Sequence, residues 1–193
     1  MAAARPVPGD EPAPLGYKPP VVFAVHGIRT NAPWFDTLAG VLQQEGIAFE
    51  FHRYGFFRLW RMLLGPNREK ALENFVNFYE QQIARYAGKG VDPDDPCMRP
   101  SIIAHSFGSY LVGHSLLKYD YLKFDKVILC GSILPRDFPW TRLVARGQVD
   151  YVYNDFGGRD VWCGTVGFGI PGKTGPSGRD GFATRSKMVQ QHE

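Results

Sequence analysis

The chain has 193 residues, of which 44% are apolar and 21% are charged, a composition typical of one globular domain with its own core. Its net charge of +3 gives little reason to expect nucleic-acid binding, and no apolar run approaches the roughly 20 residues that span a bilayer. The first twenty residues contain six prolines and no apolar block. We therefore interpret residues 1–19 as a disordered or extended arm, not a secretory signal, and residues 20–193 as one domain.

Apolar runs and amphipathic stretches alternate along the first half of this domain. The run VVFAVHG at 21–27 predicts a buried strand, a helix is expected over 33–46, and AFEFHRYG at 48–55 predicts a second strand. A second amphipathic helix follows, with Asn67 as its candidate N-cap and Gly88 as its stop.

The alternation continues in the second half. Strands are predicted at 101–106, 126–132 and 149–155, and a helix at 107–119. Because repeated strand–helix units build parallel sheets covered by helices, the sequence predicts an α/β fold, a three-layer sandwich with a mainly parallel sheet.

The glycine-rich stretch 164–181 predicts a long loop, and residues 182–193 are expected to begin a short helix. Within that loop, GFGIPGKT at 167–174 formally matches a phosphate-binding loop. Pro176 and three glycines follow, which is incompatible with the helix that such a site needs. We expect a mobile active-site loop here and no bound nucleotide.

Ser106 occupies the place where a strand is predicted to turn sharply into a helix. The small residues Ala104 and Gly108 stand two positions before and two after it, as a tight turn requires, in the pattern A-x-S-x-G. A serine held there is exposed at the helix N-terminus, where the backbone N–H of Phe107 can stabilise an oxyanion. The alternative is an ordinary junction of strand and helix.

A second part of an oxyanion hole is expected after the first strand. Gly27 permits a close backbone approach, and the N–H of Ile28 or Arg29 is the candidate donor. His26 ends that strand and is interpreted as a structural histidine, not as a base.

These two segments, AVHGI and AHSFGS, resemble those of the serine α/β-hydrolases, especially lipase-like and esterase-like members. The resemblance covers roughly residues 20 to 162, and it implies a triad of serine, acid and histidine in that chain order. The family's usual first two strands are not evident, so the implied sheet is minimal. The resemblance also implies Ser106 as the nucleophile of an acyl-enzyme reaction.

The implied acid lies in YVYNDFGGRDVW, which offers Asp155 and Asp160. The family often has a Gly-x-x-Asp turn followed by an apolar residue, and the segment from Gly157 to Val161 fits that pattern, so the resemblance favours Asp160. Surface roles for both carboxylates are the alternative. The implied base must follow the acid, and His192 alone does so. It is the penultimate residue, so either His192 is a base on a short tail, or the chain stops before the true histidine, or the site is degenerate. We therefore expect weak hydrolysis or none, with His192 beyond hydrogen-bond reach of Ser106.

The segment RYGFFRLWRMLLGPNR at 53–68 interleaves arginines with large apolar residues after a predicted strand. One interpretation is an acyl-binding lip that contacts lipid interfaces, with Phe57 and Trp60 binding substrate. The alternative is a helix packed on the sheet whose arginines extend to water.

The sequence thus predicts a cytoplasmic serine hydrolase that acts on an ester, thioester or amide of small-molecule size. The alternative is a catalytically impaired hydrolase-like module that binds a partner or an apolar ligand. Cys97, Cys130 and Cys163 match no metal-binding spacing, so we expect neither a metal nor a cofactor. Neither the substrate nor the oligomeric state follows from these residues.

Overall fold

The computed structural model describes residues 21–26, 33–52, 65–157, 174–184 and 186–193, without the side chains of 33–35 and 65–66. Strands and helices alternate through these ranges. The strands are β1 (Val21–Val25), β2 (Ala48–His52), β3 (Ser101–His105), β4 (Phe124–Cys130), β5 (Val149–Asp155) and β6 (Val189–His192). The α-helices are α1 (Pro33–Gln44), α2 (Gly65–Ala87), α3 (Phe107–Lys118), α4 (Trp140–Ala145) and α5 (Ser177–Asp180), with one 3₁₀ turn at Pro96–Met98.

The six strands form one sheet in the order β2-β1-β3-β4-β5-β6, and every pairing is parallel. Helices flank this sheet, so the predicted α/β fold with a parallel sheet is confirmed. All five residues of β1 are buried, as expected for a strand with neighbours on both sides and cover on both faces.

The main core lies on one face of the sheet, where α2 and α3 pack against it. Phe23 and Val25 of β1 point into this core together with Phe75 of α2 and Leu111 of α3. The opposite face carries a smaller cluster around Ala24, which packs against Phe49, Phe51 and Ile103. Alternate residues of a strand point to opposite faces, so this division follows directly from the pleat.

Three sequence-based expectations about local structure are wrong. The last residues form the parallel strand β6, not the start of a helix, because their backbone pairs with β5 and Val189 becomes buried. Asn67 lies inside α2, which begins at Gly65, and so it is not an N-cap. Within the predicted long loop, residues 177–180 form the four-residue helix α5.

Several predicted features lie outside the described residues. They are the arm 1–19, most of the 53–68 segment and the greater part of the glycine-rich stretch 164–181. Among the helices that the structure describes, none combines the length and the apolar character needed to cross a membrane.

Candidate functional site

Ser106 lies at the point of the sheet where the direction of strand addition reverses. From β1 the chain adds β2 on one side, whereas β3 and the later strands extend on the other. Ligands of open parallel sheets bind outside the carboxyl ends of the strands at such a reversal. Ser106 directly follows β3 there, next to the end of β1 and His26.

The backbone of Ser106 has the strained conformation of a tight strand-to-helix turn. Its φ is 52° and its ψ is −118°. Among the residues that the structure describes, no other residue besides glycine has a positive φ. Such a conformation costs about 1–3 kcal/mol for a residue with a side chain and persists only where the surrounding structure enforces it. The sharp turn predicted around Ser106 is therefore present.

Gly108 explains why this turn requires a small residue two positions after the serine. A Cβ atom at Gly108 would lie 2.5 Å from the carbonyl oxygen of Val25 and 3.1 Å from a Val25 side-chain carbon. The first turn of α3 thus packs directly on the end of β1. Ala104, two positions before Ser106, is fully buried in the sheet opposite Val25.

Hydrogen bonds hold Ser106 on both sides of its Cα atom. Its N–H donates to the carbonyl of Cys130 at 3.0 Å, which ties it to β4. Its carbonyl accepts from the N–H of Ser109 at 3.0 Å and from the Ser109 hydroxyl at 2.6 Å. Its own hydroxyl makes no capping bond to α3, so that hydroxyl is not used to stabilise the helix.

Asp155 and His192 meet at the carboxyl ends of the last two strands. They are register partners of β5 and β6, and His192 Nδ1 lies 3.5 Å from Asp155 Oδ1. The side chains are 88% and 67% exposed for His192 and Asp155, so the pair is accessible from solvent. The separation is longer than a hydrogen bond but within ion-pair distance.

Ser106 and His192 stand apart in this arrangement. Their strands, β3 and β6, are separated by two intervening strands, which at about 4.8 Å per spacing places the two backbones about 14 Å apart. No hydrogen bond between these two described residues is present. The structure therefore brings the histidine to a carboxylate but not to the serine.

Burial and charge keep the nearby Cys130 from competing as a nucleophile. Burial first, and the Asp155 carboxylate second, raise the pKa of the Cys130 thiol above its ordinary value. Because the reactive species is the thiolate, Cys130 is held in its unreactive form. The described residues include no group of three or more His, Cys, Asp or Glu side chains placed to hold a metal ion.

Six predicted site residues lie outside the described ranges, and four lie within them. The former are Gly27, Ile28, the alternative donor Arg29, Phe57, Trp60 and Asp160. The latter are Ser106, Phe107, His192 and the alternative acid Asp155, and of these the structure brings together Ser106 with Phe107 and Asp155 with His192.

Two contributors to this region escaped the sequence analysis. Ser109 is fully buried, and its hydroxyl donates a hydrogen bond to the Ser106 carbonyl. The Gln191 side chain forms hydrogen bonds with the backbone N–H and carbonyl of Phe182, which connect β6 to the segment before it. A serine one helical turn after the nucleophile offers a faint signal for Ser109, since short hydroxyl side chains often bond to backbone carbonyls three or four residues earlier. Gln191 has no comparable signal in the sequence.

Comparison with protein-family models and with curated proteins found no match to this chain.

Proposed function

We propose that this protein is a serine hydrolase that cleaves an ester, thioester or amide through an acyl-Ser106 intermediate. The observation that carries the proposal is the strained backbone of Ser106 at the reversal point of the sheet. An ordinary junction has no need of a positive φ at serine, because a relaxed residue connects a strand to a helix equally well. Such strain is what a serine requires if the turn is to present its hydroxyl above the carboxyl edge of the sheet.

The reaction follows the general course of serine acyl transfer. Ser106 Oγ attacks the carbonyl carbon of the substrate, and a histidine accepts its proton and then gives it to the leaving group. Water attacks the acyl-enzyme in the same way and releases the acid. The N–H groups of Phe107 and Ile28 are proposed to hold the negative oxygen of the tetrahedral intermediate. Gly27 and Ile28 follow His26 in the sequence, and His26 follows β1, the strand that contacts Gly108.

We assign Asp155 as the acid that orients His192. A triad acid faces Nδ1 of its histidine and leaves Nε2 for the serine, and His192 Nδ1 is the atom nearest to Asp155. Asp160, which the resemblance to the hydrolase family favours, remains the competing assignment.

For the reaction, His192 must leave the last rung of β6 and approach Ser106, and Asp155 must follow it to keep orienting the imidazole ring. That movement breaks the pairing of the last rung, including the hydrogen bond from Phe156 N–H to the His192 carbonyl at 3.0 Å. Because this rearrangement precedes each proton transfer, we propose slow turnover of simple esters.

Labelling with a fluorophosphonate probe tests the proposal. We expect the wild-type chain to be labelled on Ser106, the Ser106→Ala variant to resist labelling, and His192→Ala to be labelled more slowly. His26→Ala is the matched control, since His26 directly follows β1, the strand next to β3 and Ser106, but is not assigned as the base. A chain whose labelling is absent or unchanged by Ser106→Ala is not a serine hydrolase, and it is then better explained as a binding module of this fold.

A further inference from the structure

We propose that Ser109 is a positioning residue for the nucleophile, a role that rests on the proposed hydrolase function. Ser109 lies in the first turn of α3 and is fully buried. Its hydroxyl donates to the carbonyl of Ser106 at 2.6 Å and accepts from the N–H of Ile133 at 3.0 Å. One side chain thus connects the turn that carries the nucleophile to the loop that follows β4.

The hydrogen bond to the Ser106 carbonyl controls the direction of the Ser106 side chain. Rotation about the Cα–C bond sets ψ, and therefore sets where the carbonyl points. The opposite side of the residue is already fixed by the bond from Ser106 N–H to Cys130. With both peptide groups held, the Cα–Cβ direction is determined, and the unfavourable ψ of −118° cannot relax.

The loop that anchors Ser109 is itself held firmly from the other side. Gly178 N–H donates to the Ser132 carbonyl at 2.6 Å, and the Ser177 hydroxyl donates to the Ser132 hydroxyl at 2.9 Å. A Cβ atom at Gly178 would lie 2.4 Å from the nitrogen of Ser132, so the two segments touch backbone to backbone. Asn154 of β5 completes the support by donating to the Ser177 carbonyl at 3.0 Å.

This arrangement explains why a buried hydroxyl is present at position 109. The Ser109 hydroxyl transmits the position of a rigid loop to the strained residue that carries the reactive oxygen. A displacement of about 1 Å at a reacting group can reduce a rate by up to about 10²-fold. Since the Ser109 N–H also donates to Ser106 and survives substitution, we expect a smaller loss when the hydroxyl alone is removed.

Ser115 provides a matched control within the same helix. It is also fully buried, but its hydroxyl has no hydrogen-bond partner within the described part of the chain. Ser115→Ala therefore removes the same atom from a similarly buried place without touching the turn. Any difference between Ser109→Ala and Ser115→Ala reports on the hydrogen bonds of Ser109.

The experiment measures fluorophosphonate inactivation of the full chain, with the maximal rate constant separated from the inhibition constant. We expect Ser109→Ala to lower the maximal rate constant about tenfold with the inhibition constant unchanged, and Ser115→Ala to stay within about twofold of wild type. Ser109→Cys leaves no cavity, since its thiol is somewhat larger than the hydroxyl, and it forms only weak hydrogen bonds, so it should behave as Ser109→Ala does even where the alanine variant folds poorly.

The outcomes separate this inference from the proposed function. If Ser106→Ala abolishes labelling while both Ser109 variants keep the wild-type rate constant, the positioning role is wrong and the hydrolase function stands. Equal losses in Ser109→Ala and Ser115→Ala also overturn the role, because they show a general effect of lost buried hydroxyls. Absence of labelling in the wild type overturns both, since no activated nucleophile then exists to be positioned.

Discussion

His192 Nδ1 lies 3.5 Å from Asp155 Oδ1, and the two residues face each other as register partners at the ends of β6 and β5. A parallel sheet places neighbouring strand ends at one edge, so this contact follows from the topology and not from a long loop. It gives Asp155 a histidine partner, which supports the proposed assignment of Asp155 as the acid.

The first prediction compares the two candidate acids. Asp155→Asn keeps the shape of the side chain but removes the charge that orients and stabilises the imidazolium, so fluorophosphonate labelling of Ser106 should slow by roughly 10²-fold or more. Asp160→Asn should leave the rate within about threefold of wild type. The reverse order of effects in the same labelling assay would assign the acid to Asp160.

The second prediction concerns the attachment of β6. Gln191 accepts from the Phe182 N–H at 2.5 Å and donates to the Phe182 carbonyl at 3.0 Å, so its loss leaves two backbone groups without their partner. We expect Gln191→Ala to lower the free energy of unfolding by about 1–2 kcal/mol in urea titrations.

Gln190→Ala is the matched control for this substitution, because Gln190 is exposed on the opposite side of the same strand. Its effect should stay within about 0.5 kcal/mol. Amide hydrogen exchange at Phe156, which donates to the His192 carbonyl, should accelerate in Gln191→Ala alone. Equal stabilities of the two variants would show that β6 does not depend on Gln191.

A structural feature of this protein is predictable from the sequence to the extent that nearby residues determine it. The strands at 101–105 and 149–155 were predictable because buried parallel strands are short apolar runs, and the turn at Ser106 because Ala104 and Gly108 report its close packing. β6 was not predictable, since a single buried valine gives no alternating pattern and its pairing partner lies far away in the chain. The Ser109 bond to the Ile133 N–H likewise joins segments whose proximity only the fold creates.

The third prediction concerns acid stability and His52, the last residue of β2. Burial, and secondarily the charge of His26, lower the pKa of His52 from 6.5 to about 4. The centroid of the His52 ring lies 4.9 Å from the centroid of the Phe78 ring. A histidine with a lowered pKa in the fold is protonated first in the unfolded chain. It therefore stabilises the fold above pH 6.5, and that stabilisation is lost as the pH falls from 6.5 to about 4.

His52→Phe keeps an aromatic ring at this place and removes the titration. Across that pH range, the wild type should lose up to about 3 kcal/mol of unfolding free energy relative to the variant, as measured by urea titration at each pH. Parallel curves for wild type and His52→Phe would show that His52 does not titrate differently in the folded and unfolded chains.

The fourth prediction tests the strain at Ser106 without any substrate. Glycine adopts a φ of 52° with little steric cost, whereas alanine retains the Cβ atom that makes this conformation unfavourable. Both substitutions remove the hydroxyl, so the difference between them isolates the backbone strain. After allowing for the greater flexibility of glycine in the unfolded chain, we expect Ser106→Gly to be about 1 kcal/mol more stable than Ser106→Ala in urea titrations.

Ser106→Gly should also be at least as stable as the wild type, because the strained backbone at a reactive serine lowers the stability of the wild-type fold. It should resist fluorophosphonate labelling, because it lacks the hydroxyl that the probe modifies. If Ser106→Gly is instead the less stable of the two variants, the turn holds no strain that a side chain must bear, and the geometric argument for Ser106 as nucleophile fails.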